Sequence, residues 1–178
     1  IGDRCFMAKP RVLILAEDCN PLWPSLPVVG YKYALALARH CDVRIVTHIR
    51  NKPAITADGR ALDRFDFMDT EYVARPMYKL ARFLRGGTEV AWSTGMIMSW
   101  LPYVAFERDT WKRYRPALEA GDYDLIHRIT PMSPTLPSYI AGRGGVPFVI
   151  GPLNGNLDWP GAFLSEQKRE KERLRALR

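Results

Sequence analysis

The chain has 178 residues, 47% of them hydrophobic, which is enough to bury one sizeable core, and a single domain is expected. A formal net charge of +7 and a pI near 9.5 suit an anionic partner such as nucleotide, nucleic acid or acidic phospholipid, without choosing among them. Cys5, Cys19 and Cys41 show no C-x-x-C spacing and no paired histidines nearby, so neither a zinc site nor a disulfide framework is indicated, and a reducing, cytosolic setting fits best.

The opening IGDRCFMAKPRVLILAE reads as a first strand rather than a signal peptide, because its apolar run is short. Residues 12–16 (VLILA) form the continuous apolar run of a strand buried on both faces. A proline-rich loop over residues 17–29 follows, longer than an ordinary βα connection, and such excess length usually serves function. Gly30 is then expected to open a helix over residues 31–40, whose Ala/Leu content favours helix and whose apolar arc suits burial on a sheet. Residues 43–47 (VRIVT) read as the second strand.

A polar linker with Pro53, Asp58 and Gly59 leads to an expected third strand at residues 71–74 (EYVA). Residues 77–118 are helical in composition, with breaks expected at Gly86/Gly87 and near Pro102. Within them, residues 90–106 are the least charged segment, but with about 17 residues, at the lower limit for spanning a bilayer, and with Ser93, Thr94, Ser99 and Pro102, they are not expected to be transmembrane. Residues 124–129 and 146–150 read as strands four and five, joined by a short helix at residues 135–141 that Gly142 closes. The order of elements predicts an α/β fold, a doubly wound parallel sheet flanked by helices. Residues 1–164 would form this domain, and residues 165–178, capped by Ser165, would begin a helix leading into a further domain.

In such a sheet the loops after the strands gather on one edge, where ligands bind, so RITPMSP and GPLNG mark the expected site. No G-x-G-x-x-G follows the first strand and no G-x-x-x-x-G-K-[ST] occurs, which argues against a standard dinucleotide oxidoreductase and a P-loop ATPase. Gly30 would let a ligand approach a helix N-terminus, or simply cap it. His127 shares a strand face with Leu125 and Ile129, where a satisfied core histidine is commoner than a catalyst. Thr130, Ser133 and Asn154 lie beyond strand ends and offer neutral groups suited to sugar hydroxyls, although Asn154-Gly155 also makes a good turn. No triad, nucleophile elbow or metal motif can be assembled, and no catalytic residue is assigned.

Basic residues cluster at Arg82/Arg85, at Arg108/Lys112/Arg113/Arg115 and over residues 168–178, as solvated helical faces or as anion-binding patches. Between Trp92 and Tyr114 lie Met96, Met98, Trp100, Tyr103, Phe106 and Trp111, which read first as helices packed on the sheet and second as a membrane-surface region.

The segments VLILAE, GYKYALALARHCDVRIVTH, YDLIHRITP and PFVIGPLNG, in that order, resemble the N-terminal domain of family-4 glycosyltransferases of the GT-B class, over roughly the whole chain. The resemblance implies a Rossmann-like, acceptor-binding half of an enzyme that transfers a sugar from a nucleotide-sugar donor to a glycan or lipid-linked acceptor, with retention and without a metal or other cofactor. It implies that the donor is gripped mainly by a second domain, so that these 178 residues alone are inactive. The family's glycine pair corresponds to Gly30-Tyr31, a histidine often found after the fifth strand corresponds to Leu153 beside Asn154, and of the two histidines in the fourth-strand motif His127 matches while Ile129 replaces the other. The expected cleft is therefore lined by Gly30, Asn154 and Gly155, with Thr130 and Ser133 behind them. The competing expectation is a non-catalytic subunit that docks on an anionic membrane at its cytoplasmic face and recruits a catalytic partner; a nucleic-acid binder is disfavoured for want of a recognised motif.

Overall fold

The computed structural model describes residues 8–85 and 92–154. Five strands, β1 (Arg11–Ala16), β2 (Asp42–His48), β3 (Phe65–Met68), β4 (Leu125–Thr130) and β5 (Phe148–Ile150), form one sheet in the order β3-β2-β1-β4-β5. Every pairing is parallel. The helices α1 (Leu26–Leu37), α2 (Lys52–Asp58), α3 (Glu71–Arg85) and α4 (Trp92–Glu119) accompany it. This is the doubly wound, Rossmann-like α/β arrangement expected from the order of elements.

The VLILA run is buried throughout because its alternate residues enter two different cores. Val12, Ile14 and Ala16 join Tyr31 and Ala34 of α1, with Ile45, Phe65 and Ile129. Leu13 and Leu15 join Tyr103, Phe106, Tyr114 and Leu118 of α4, with Val46, Ile126 and Ile140. Leu125 packs with the α1-side core and Ile129 belongs to it, and His127 meets Tyr33 of α1 edge-on, in line with the expected alternation.

Four expectations are corrected. The third strand is Phe65–Met68, inside the supposed linker, and residues 71–74 begin α3. Asp69 Oδ1 accepts the Glu71 amide (3.0 Å) and the Thr70 carbonyl accepts the Val73 and Ala74 amides, so a polar start signal outweighs the β-prone Tyr-Val pair. The first helix begins four residues before Gly30 rather than after it, because Pro27 suits a first helical turn, and it ends at Leu37. Pro102 does not break α4, which runs to Glu119: burial of Tyr103, Phe106, Tyr114 and Leu118 along one face outweighs the lost hydrogen bond.

Finally, the β4–β5 connection contains no helix among residues 131–147. Pro131, Pro134 and Pro137 remove backbone donors from it, and side chains from elsewhere satisfy its polar groups instead. Gly86/Gly87 and the expected final helix lie outside the described residues. No helix among the described residues is long and apolar enough to cross a membrane.

Candidate functional site

The connections from β1 and β4 leave in opposite directions, which opens a crevice at the carboxyl edge between these neighbouring strands. Its floor is tightly built. Thr130 Oγ1 accepts the Asp18 amide and donates to the Asp18 carbonyl, each at 3.1 Å, stitching the two loops together. The strand register shifts at the same place, between Leu15 and Ala16. A Cβ on Gly30 would lie 2.8 Å from the Asp18 carbonyl oxygen and 2.9 Å from Thr130 Cγ2. Gly30 therefore serves close packing of α1 against this stitch, and the helix N-terminus expected there lies a turn earlier.

The β1–α1 loop is fixed from the β2 side. The Glu17 carbonyl accepts Asn51 Nδ2 (2.7 Å), Thr47 Oγ1 (3.1 Å) and the His48 amide (3.3 Å). Asn20, fully buried, bonds Asn51 and accepts the Leu22 amide (2.9 Å). Burial, reinforced by the neighbouring Asp18 charge, pushes the Glu17 carboxyl up to about 8, and burial pushes the Cys19 thiol up to about 12. Leu22, Trp23 and Tyr33 are left exposed on this loop and helix.

Across the crevice, His127 Nε2 lies 2.8 Å from the Gly151 carbonyl. Because a carbonyl only accepts, Nε2 carries the proton and Nδ1 remains an acceptor. Burial lowers the pKa of this ring, with the Gly151 bond opposing, so it is neutral at neutral pH. The Asn154 amide donates to the Met132 carbonyl (2.7 Å), bringing the two loops after β4 and β5 together, and the Asn154 side chain is exposed. Ser133 is buried, its hydroxyl paired with Thr135 Oγ1 (2.9 Å).

The structure thus gathers Gly30, His127, Thr130, Ser133 and Asn154 around one edge, with Gly30 and Thr130 in its floor. Tyr31 is turned away: it stacks on Phe65 and its hydroxyl donates to Asp58. Gly155 lies outside the described residues.

The sequence reading missed two fully buried charged residues that support the edge. Arg128 of β4 donates to the carbonyls of Leu136 (2.7 Å) and Ser133 (2.8 Å). Glu107 of α4 accepts from Ser138 Oγ, the amides of Tyr139 and Ile140, and the Tyr103 hydroxyl. An arginine inside the apolar strand LIHRIT was the available signal. No family model, no curated protein and no solved structure matches the chain.

Proposed function

We propose that this domain is the acceptor-binding half of a glycosyltransferase, which takes a sugar from a nucleotide-sugar donor to a glycan or lipid-linked acceptor. The observation that carries the reading is the crevice between β1 and β4. Its rim combines exposed aromatic rings, Trp23 and Tyr33, with the side-chain amide of exposed Asn154, and the largely buried His127 ring, edge-on to Tyr33, keeps Nδ1 as an acceptor. Apolar ring faces beside neutral donors and acceptors suit the two surfaces of a sugar, its C–H face and its hydroxyls. The segment resemblance supports the same reading. In it, the rim orients the acceptor hydroxyl, and His127, held in one tautomer by Gly151, accepts a hydrogen bond from it. A second domain supplies most of the donor contacts.

The test is transfer from a panel of nucleotide-sugars, assayed with this chain and with the chain extended by whatever coding sequence follows it. Activity in the extended form alone, reduced in Trp23→Ala and Asn154→Ala, is the expected result. Inactivity of both forms would turn the weight to a docking subunit without catalysis.

A further inference from the structure

A second cleft lies past the end of β2, where a cavity of about 320 Å³ is lined by Arg50, Glu71, Arg75 and Lys79. We infer that it is a binding site for a phosphate or diphosphate group. The inference does not rest on the sugar-transfer reading.

Two arginines hold one carboxylate, and a lysine further along α3 lines the same cavity. Glu71 receives Arg50 Nε on Oε1 and Arg75 Nε on Oε2 (2.8 Å), and the Arg50 contact, the leading cause, holds its carboxyl below the usual range. Glu71 is therefore ionised and occupied, and it fixes both guanidinium groups. Each arginine uses only Nε on Glu71, and its two terminal nitrogens have no side-chain or backbone partner among the described residues. Paired N–H groups held in this way are suited to phosphate oxygens. Lys79 stands one helical turn beyond Arg75 on α3 and makes no ion pair among the described residues.

His48 stands behind the Glu71 end of this cluster. Its Nδ1 accepts the Arg50 amide (3.2 Å), so the neutral ring carries its proton on Nε2. That Nε2 is buried without a hydrogen-bond partner, 4.0 Å from Glu71 Oε1, too far for a bond. His48 does not line the cavity, so the donors open to a ligand are the terminal guanidinium nitrogens of Arg50 and Arg75 and the Lys79 ammonium, which outnumber the single Glu71 carboxylate in the lining. The cavity is large enough for a diphosphate, and the group could belong to a soluble phosphate ester or to a lipid headgroup.

Inorganic pyrophosphate titrated into the full 178-residue chain by calorimetry tests the site. Saturable binding that weakens roughly tenfold in Arg75→Gln and in Lys79→Gln is expected, the loss of one charged hydrogen bond each. Both residues are exposed, so the variants should keep the parent's melting temperature. Arg115→Gln, an equal charge change on a different helix, α4, should leave binding intact. No saturable binding, or equal weakening in all three variants, would overturn the proposal, the second because it would mean general attraction only. Sedimentation with phosphatidylcholine vesicles, with and without phosphatidic acid, separates the sources. Binding only to the acidic vesicles, displaced by pyrophosphate, would support the site with a lipid headgroup as its ligand. Pyrophosphate binding without vesicle binding would support it with a soluble ester.

Discussion

Arg128 and Glu107 hold one loop from two different elements: the guanidinium of β4 takes the carbonyls of Ser133 and Leu136, and the carboxylate of α4 takes the amides of Tyr139 and Ile140. Tyr103 lies between them, its ring 5.8 Å from the Arg128 guanidinium carbon and its hydroxyl bonded to Glu107. These side chains do for the β4–β5 connection what the hydrogen bonds of a crossover helix ordinarily do. The loop that carries Ser133 is thereby fixed without regular structure.

Arg128→Met should cost roughly 2–4 kcal/mol of stability, because two buried carbonyls lose charged donors. Glu107→Gln keeps the shape but turns one acceptor into a donor facing amides, and should cost about 1–3 kcal/mol. Denaturant unfolding measures both. A change below about 0.5 kcal/mol in either, the range of an ordinary surface substitution, would rule out this supporting role.

Gly30→Ala should destabilise the fold by roughly 1–3 kcal/mol despite the better helix propensity of alanine, because the new Cβ meets a backbone carbonyl that cannot swing aside. Adding Thr130→Ser removes only the Cγ2 contact and should restore part of the loss. Gly144→Ala is the contrast: its Cβ would meet the Cδ1 end of Ile126 at 2.7 Å, which can rotate, so the cost should stay under about 1 kcal/mol. Equal effects at the two glycines would contradict the close packing of α1 on the Asp18–Thr130 stitch.

Glu17 makes stability depend on pH between about 4.5 and 8. Its folded-state pKa, about 8, lies above the usual 4.5, so its contribution is full below 4.5 and is lost as pH rises through 8. Glu17→Gln should therefore gain on the parent progressively across that window, read as the difference in unfolding free energy at a series of pH values. A difference that does not change with pH would show that the carboxyl is not withdrawn from water.

The two buried histidines act in the opposite sense. Burial lowers the pKa of His127 and of His48 below the usual 6.5, so their contribution is complete above 6.5 and is lost as pH falls through the depressed values. His127→Gln, which retains a donor for the Gly151 carbonyl, and His48→Gln should each remove part of the acid destabilisation. Melting temperatures that fall identically below pH 6.5 in parent and variants would exclude these two side chains as its source.

The α/β class, four of the five strands and the importance of the carboxyl edge were legible because they depend on local pattern: VLILA, VRIVT and DLIHRIT are apolar runs that a parallel sheet buries on both faces, and such a sheet gathers its loops on one edge. The third strand was not legible. FDFM alternates between the two cores only once α1 and α4 are in place, with Phe65 against Tyr31 and Asp66 accepting the Tyr114 hydroxyl (2.6 Å). EYVA resembles a strand until Asp69 caps it.

The site divides in the same way. The sequence by itself determined which loops meet, and so brought His127, Thr130, Ser133 and Asn154 to one edge. Only the tertiary structure decided what each does there: Gly30 and Thr130 pack the floor, Tyr31 turns into the core, and His127 is fixed by Gly151. It also decided that Arg128, Glu107 and the Arg50–Glu71–Arg75 cluster matter at all. Their partners lie 4 to 33 residues away in the chain, and a charge takes its meaning from the groups that folding sets around it.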